Sequence, residues 1–282
     1  MARNKVKIGF IGQGYIGKNY ANDFENRGYA TVRYSLEEPY VGNKDRIKEC
    51  GVVFIAVPTP TTPNGFDASI IEKTFPLVHE GATIVIKSTV LPGTVSRWQE
   101  KYPQFVLLFS PEFLREATAA DDAAHPYSNI IGYAKDTPQH RAAAEAVMKL
   151  LPDAPSNVMC TSTEAELIKY TQNISGYIDI ITFNVFYDLA QKLGADWEPI
   201  LEAMRADPNI PSRFANPVHK SGRGAGGHCL IKDMAALRAF YESTLGDERG
   251  SNFLRGAEEK NKQLLKDSKK DLDVLRGVYG EA

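Results

Sequence analysis

Lys7-Ile-Gly-Phe-Ile-Gly-Gln-Gly-Tyr-Ile-Gly17 decides the fold of this chain. It opens as a short apolar strand, continues as G-x-G-x-x-G, and runs into a helical pattern over Lys18–Asn26. Each glycine has a physical task. Gly12 makes the tight turn out of the strand, Gly14 lets a pyrophosphate approach the backbone, and Gly17 lets the helix pack closely on the strand. The phosphates then meet the unpaired N–H groups of the helix N-terminus, flanked by Tyr15 and Ile16. Alone the fingerprint is a weak signal. Its place between a strand and a helix gives it weight.

Upstream, Met1-Ala-Arg-Asn-Lys-Val-Lys runs straight into the strand and is not a secretory signal. Downstream, a second strand is expected over Ala30–Tyr34. An acidic residue for the adenosine ribose is expected roughly 20 residues after the glycines. Ser35 stands there instead, with Glu37 and Glu38 beyond it. Serine tolerates a hydroxyl or a phosphate, and no arginine follows immediately to claim a 2′-phosphate, so the expected cofactor is NAD. Leu36–Glu49 is short for a full helix–strand–helix excursion, and one βα unit is expected to be missing.

The chain resumes with Gly51–Val57, an apolar run that reads as a buried parallel strand. It ends in Pro58-Thr-Pro-Thr-Thr-Pro63, a stiff loop carrying Thr59 at the edge where ligands of open α/β sheets collect. A helix over Phe66–Val78 follows, with Asp67 as its cap or first-turn acid. Then come strand Ala82–Lys87, ending in Lys87-Ser-Thr89, helix Thr94–Lys101 and strand Phe105–Phe109. Ser110–Pro126 is longer than a compact domain needs, and such loops often carry function. It places Glu112 and Glu116 at the same edge as Thr89. Strand Ser128–Tyr133 and helix Thr137–Leu150 complete the first domain. The alternation predicts a Rossmann-like, doubly wound parallel sheet over residues 1–155.

Residues 156–282 predict an all-helical second domain. Thr163–Leu193 keeps helical periodicity without proline, and Gly194 is a natural stop. Ser162 or Thr163 with Glu166 fits a capping box. A helix this long often forms a subunit interface, so a homodimer is expected. Lys169 and Asn173 share one face of it. Trp197–Arg205 predicts a short helix, Asp207–Ser221 a loop, and Leu230–Leu245 and Asn252–Tyr279 two more helices. The charged tail Lys260–Arg276 is expected on the surface.

Between these elements lies Gly222-Arg-Gly-Ala-Gly-Gly-His-Cys-Leu-Ile-Lys-Asp233. The glycines let the loop wrap something small. Cys229 falls at a helix N-terminus, where the dipole and Lys232 favour the thiolate, and Asp233 shares its helical face. The plainer reading is a turn followed by a small buried thiol.

Bulk composition excludes several classes. The 282 residues are 43% apolar and 24% charged, with net charge −2. That is a globular balance with no basic field for nucleic acid. Cys50, Cys160 and Cys229 are widely spaced, with no CxxC or histidine cluster, so neither a disulfide framework nor a metal site is indicated, and a reducing cytoplasm fits. The run Ile174–Tyr187 contains Asp179 and Asn184 and is too short to span a bilayer.

G-x-G-x-x-G, Val57-Pro-Thr-Pro, Lys87-Ser-Thr, Pro111-Glu-Phe-Leu-Arg-Glu, Lys169-xxx-Asn173 and Gly226-Gly-His-Cys-Leu-Ile-Lys-Asp233 occur in one order. Together they resemble the UDP-glucose/GDP-mannose dehydrogenase family. The resemblance implies a two-step, NAD-dependent oxidation of a sugar C6 alcohol to a carboxylate. Carried over, it implies Cys229 as nucleophile, Glu112 as the residue aiding hydrolysis of a thioester, and Lys169 as oxyanion stabiliser. Asn173, Asp233 and Thr89 would hold substrate and water. Gly12, Gly14, Tyr15, Ile16, Gly17, Ser35, Thr59, Thr89, Glu116 and Lys232 would contact the cofactor. Phe113, Leu114, Lys169, Asn173, Asn216 and Gly226 would contact the substrate. Family members carry a third, UDP-binding domain, so a short form lacking it is expected. Where the family has Asp-x-Arg-Ile, this sequence reads Asp207-Pro-Asn-Ile, which leaves Arg213 and Arg223 as candidate phosphate contacts.

Overall fold

The computed structural model describes residues 6–280. In chain order it contains β1 (Ile8–Ile11), α1 (Tyr15–Asn26), β2 (Thr31–Tyr34), β3 (Val52–Ile55), β4 (Thr61–Thr62), β5 (Gly65–Phe66), α2 (Ser69–Glu72), β6 (Thr83–Ile86), α3 (Thr94–Lys101), β7 (Val106–Phe109), α4 (Ala119–Ala124), β8 (Ser128–Tyr133), α5 (Pro138–Met148) and β9 (Ser156–Thr161). There follow α6 (Ser162–Lys192), α7 (Trp197–Ala206), β10 (Val218–His219), β11 (Gly222–Arg223), α8 (Gly227–Leu245), α9 (Glu248–Asp267) and α10 (Leu272–Tyr279). The chain divides into two compact units. One comprises residues up to Thr59 with Ala68–Lys169, the other Pro60–Asp67 with Tyr170 onwards.

The first unit is built on a seven-stranded sheet of order β2-β1-β3-β6-β7-β8-β9. Four-residue apolar strands make its centre, buried on both faces as parallel strands are. Ile8 lies opposite Thr31 on one side and Val52 on the other. A full dinucleotide fold places another strand outside the second. Here β2 is the edge, because the chain makes only a 3₁₀ helix, Val41–Glu49, before crossing to the far side of β1. One βα unit is therefore missing, as the short Leu36–Glu49 segment predicts. The 3₁₀ helix shields the edge: Asn43 donates its side-chain amide to the Arg33 carbonyl at 3.0 Å. Phe10, Phe24 and Phe54 pack beneath, with Phe10 stacked on Phe54 at 5.1 Å.

Several expectations are corrected. The sheet is mixed: β7 and β8 are antiparallel, because residues 110–127 stay at the C-terminal edge and β8 re-enters from there. The edge strand β9 runs parallel to β8 and was not expected, since its Ser-Asn-Val-Met-Cys-Thr is half-exposed and weakly patterned. The helix expected over Phe66–Val78 breaks up. Phe66 pairs in a β-ribbon with Thr61, Ala68 rather than Asp67 precedes α2, and Pro76 permits only a 3₁₀ turn over Phe75–Leu77. The loop Ser110–Pro126 contains the short helix α4.

Helix α6 ends at Gly194, whose φ is 69°. Its capping box is Thr161 with Glu164: the Thr161 N–H and hydroxyl donate to the Glu164 carboxylate at 2.7 and 2.8 Å. Glu166, expected in that role, is fully buried instead. Its carboxylate accepts from Gly93 N–H and from Val95 N–H at 2.9 Å, capping α3 from outside. Burial pushes its pKa up to about 7 despite those bonds.

The second unit is helical apart from two small antiparallel ribbons, β4–β5 and β10–β11. Ile174, Tyr177 and Ile181 of α6 pack with Met234 of α8 and Leu254 and Leu264 of α9. Ile231 and Leu265 pack with Leu275 and Val278. The segment Asn252–Tyr279 forms parts of α9 and α10, broken at residues 268–271, where Asp271 has φ 51°. The charged tail lies on the surface along one face only: Lys266, Asp267, Lys269, Asp273 and Arg276 are exposed, whereas Asn261, Leu264, Leu265 and Lys270 are buried. Among the described residues no helix is long and apolar enough to cross a membrane.

Candidate functional site

In the first unit, the parallel strands β2, β1, β3, β6 and β7 all end at one sheet edge. Just beyond those ends lie Ser35, Gly12, Thr59, Thr89 and Glu112, so the sequence-predicted positions of this half share an edge. The glycine fingerprint behaves as its spacing requires. Gly12 has φ 91°, and a Cβ on it would stand 2.2 Å from the Ala56 carbonyl oxygen. A Cβ on Gly17 would stand 2.0 Å from the Gly12 carbonyl oxygen. A Cβ on Gly14 would meet nothing within 4 Å, so the loop is closed on its protein side and open where a pyrophosphate would approach. Gly14 is the N-cap of α1 and offers no side-chain cap. The residues present therefore fit a dinucleotide. Tyr15 is exposed and Ile16 half-buried at the start of α1, Ser35 is half-buried, and Glu116 is exposed.

Beyond β7 a charged cluster is almost sealed from water. Lys169 Nζ donates to the Glu112 carbonyl oxygen at 2.6 Å and lies 3.3 Å from its carboxylate. The other carboxylate oxygen accepts from Leu114 N–H at 2.9 Å. Phe113 offers its ring face to the same ammonium, 5.0 Å away. A carboxylate and an ammonium this deep survive only by pairing.

Lys87, which was assigned no role from the sequence, joins the cluster. Its Nζ donates to Ser110 Oγ at 3.1 Å and to the Ser110 carbonyl at 3.3 Å, and lies 4.0 Å over the Tyr20 ring. Burial pushes its pKa down to about 7, opposed by Glu112 and assisted by Lys169. The sequence signals were a lysine at the end of an otherwise apolar strand and its place in the Lys87-Ser-Thr motif.

In the second unit, Cys229 is the third residue of α8 and is exposed. One turn on, Asp233 is buried, 1% exposed. Its carboxylate accepts from Asn173 Nδ2 at 2.7 Å and from Lys232 Nζ at 2.5 Å. Asn216 is exposed, and Gly226 is the half-buried N-cap of α8. In the first unit Lys169 thus holds Glu112, and in the second Asn173 holds Asp233.

The glycine loop has a different explanation from the one its composition suggested. Gly222, Gly224 and Gly226 are small because the chain near 261–271 presses on them. Added Cβ atoms would stand 2.5 Å from Ser268 Oγ, 2.8 Å from Asn261 Oδ1 and 2.2 Å from Asp271 Oδ2, respectively. Arg223 N–H donates to Ser268 Oγ at 3.0 Å, and Ala225 N–H to Asn261 Oδ1 at 2.7 Å. Asn261 Nδ2 returns a bond to the Ala225 carbonyl at 3.0 Å, and Lys270 Nζ donates to the Gly224 carbonyl at 2.9 Å. Burial lowers the pKa of Lys270. None of these partners was singled out from the sequence, where they sit inside a charge-rich tail. Arg223 is not available as a phosphate contact. Its guanidinium is engaged by Asn184 Oδ1 at 2.9 Å and by Asp188 at 2.7 Å.

The model of the UDP-glucose/GDP-mannose dehydrogenase family NAD binding domain matches residues 40–151, and that of the family's central domain matches residues 163–263. The UDP-glucose 6-dehydrogenase AglM of Haloferax volcanii is 28% identical over 284 residues, covering 83% of this chain and 65% of that protein. The UDP-glucose 6-dehydrogenase of Rickettsia conorii is 30% identical over 233 residues, covering 78% and 50%. The chain therefore spans between half and about two thirds of the length of these curated relatives. A UDP-glucose dehydrogenase from Pyrobaculum islandicum superposes with a TM-score of 0.76 at 27% identity, over 92% of this chain and 69% of that one. A 3-hydroxyisobutyrate dehydrogenase from Mycobacterium tuberculosis shares the fold, with a TM-score of 0.73 at 14% identity over 98% of each chain.

Proposed function

This chain belongs to the UDP-glucose/GDP-mannose dehydrogenase family, and on that premise we propose that it oxidises the C6 alcohol of a UDP-glucose-like nucleotide sugar to the uronic acid. The reaction removes four electrons. When bound, NAD supplies hydride acceptance at both oxidation levels. Gly12, Gly14, Tyr15, Ile16 and Gly17 would cradle its pyrophosphate. Ser35, Thr59, Thr89 and Glu116 would complete its surface, with Lys232 a further contact.

The chain's own groups take the remaining work. The Cys229 thiolate adds to the C6 aldehyde carbon, and the carbonyl electron pair moves onto oxygen. The Lys169 ammonium stabilises that alkoxide. After the second oxidation the sugar is held as a thioester. Glu112 holds the water that attacks it, and the Cys229 thiolate leaves. Thr89 and Asn173 order the water and substrate, with Asp233 as the base. Phe113, Leu114, Asn216 and Gly226 line the sugar's path.

Two observations support this reading, the Lys169 contact on Glu112 in the first unit and the Asn173 contact on Asp233 in the second. Asp233 in turn lies one helical turn from Cys229. We place the reaction in a reducing cytoplasm, where a cysteine nucleophile persists. We also propose a homodimer through α6.

The test is mass spectrometry of the protein incubated with NAD and a panel of nucleotide sugars, free hexoses and hydroxy acids. A covalent adduct on Cys229 with one nucleotide sugar is the expected result. Cys229→Ser should lose at least roughly a thousandfold in turnover to the acid. Steady NADH production by that variant at a wild-type rate, or turnover of hydroxy acids alone, overturns the reading.

A further inference from the structure

Helix α8 begins at a residue that cannot cap it. Gly226 has no side chain, and the N–H groups of a first helical turn need acceptors from elsewhere. Gly227 N–H finds one 44 residues downstream, the Asp271 carboxylate at 2.7 Å. Asp271 sits at φ 51°, left-handed backbone that a non-glycine residue adopts only where its surroundings over-determine it. Its carboxylate fills the space a side chain at Gly226 would take. Ser268, Asn261 and Lys270 already hold residues 223–225 of the loop. The Asp271 bond reaches past the loop to the helix itself, two residues before Cys229.

We propose that Asp271 is a positioning residue for Cys229. By acting as the cap that Gly226 cannot supply, it fixes the first turn of α8 and the direction in which the Cys229 side chain leaves it. Its catalytic consequence rests on the reading of Cys229 as the nucleophile.

Two substitutions isolate the carboxylate from the turn. Asp271→Gly removes the acceptor while accepting the left-handed backbone without strain, so the turn survives. Asp271→Asn tolerates the same backbone and keeps an oxygen acceptor. Amide hydrogen exchange over residues 226–231 and the rate of iodoacetamide alkylation, resolved for each cysteine, are measured on the whole protein. In Asp271→Gly, exchange should quicken at least roughly tenfold and Cys229 alkylation at least roughly threefold, as the uncapped turn opens. Asp271→Asn should restore both to within about twofold of wild type, and Cys50 and Cys160 should react as in wild type in both variants. Turnover by Asp271→Gly should fall in kcat with KM held. The inference is overturned by wild-type exchange and alkylation in Asp271→Gly, by an Asn variant that behaves like the Gly variant, or by equal acceleration at all three cysteines. Failure of Cys229 as nucleophile shows separately, in undiminished turnover by Cys229→Ser.

Discussion

Lys169 Nζ grips Glu112 twice, at its backbone carbonyl and at its carboxylate, with both side chains less than a tenth exposed. The pair is costly to break from one side only. Lys169→Met leaves the Glu112 carboxylate buried without its ammonium and should destabilise the protein by about 3 kcal/mol in urea titration. Adding Glu112→Gln should recover much of that loss. Turnover should fall at least about a hundredfold in the single variant and stay low in the double, because stability returns while the proposed oxyanion donor does not. Equal stability of wild type and Lys169→Met would remove the argument for a tightly held pair.

Glu166 gives stability a distinct pH dependence. Its pKa in the fold is pushed up to about 7, above the ordinary carboxylate range, by burial. The folded state therefore binds more protons than the unfolded one between the two pKa values. The stability associated with this group is fully present below the unfolded pKa and is lost as pH rises through about 7. Thermal unfolding followed from pH 5 to 8 should show a downward trend attributable to this residue, on the order of 2 kcal/mol, that Glu166→Gln flattens. An identical trend in the variant would assign it elsewhere.

Such features mark where the sequence stops being legible. The fingerprint around Gly12–Gly17, the strands β1 to β3 and β6 to β8, and the length of α6 follow from patterns that depend on near neighbours, and the structure places them within a residue or two. The missing βα unit was legible too, because Leu36–Glu49 is too short to hold it. Glu166 was misread because a capping box has the same spacing whether or not the carboxylate turns inward to another helix. Asp271, Lys270 and Asn261 were misread because a charged, helical tail looks solvated until its partner surface is known. Gly222–Gly227 was legible as a special backbone, but whether a ligand or another part of the chain required it could not be settled by spacing.

The loop glycines can be told apart. Gly226 meets Asp271 Oδ2 at 2.2 Å and Lys270 Cε at 2.6 Å when a Cβ is added, whereas Gly227 meets nothing within 4 Å but has φ 79°. Gly227→Ala should cost about 1 kcal/mol, the strain of left-handed backbone alone. Gly226→Ala should cost more, roughly 2 to 3 kcal/mol, by displacing the Asp271 turn. Chemical denaturation of the two variants gives the ranking, and the reverse order would mean that the turn yields easily.

Helix α6 leaves Val185, Phe186 and Leu189 on one exposed stripe, with exposures of 47%, 57% and 52%. Large apolar side chains grouped in this way mark an association surface. The proposed homodimer predicts that Phe186→Glu with Leu189→Glu converts a dimer to a monomer in light scattering while thermal stability of the monomer is retained. A wild-type protein that runs as a monomer at micromolar concentration would dismiss this use of the stripe.

Gly14 separates the two jobs done by the glycine fingerprint. Gly12 and Gly17 are glycines because protein backbone crowds them, so Gly17→Ala, whose Cβ would stand 2.0 Å from the Gly12 carbonyl oxygen, should impair folding itself. Gly14 is different: its φ of −72° suits any residue, and no protein atom lies within 4 Å of an added Cβ. Nothing in the protein forbids a side chain there; only an approaching pyrophosphate would. Gly14→Val should therefore keep stability within about 1 kcal/mol of wild type, a small loss expected at a helix N-cap. NAD affinity, read by titration of protein fluorescence, should fall at least roughly tenfold as the branched side chain occupies the phosphate's approach. Unchanged affinity in a folded Gly14→Val protein would show that the dinucleotide does not lie over this loop, and the open space at Gly14 would then lose its explanation.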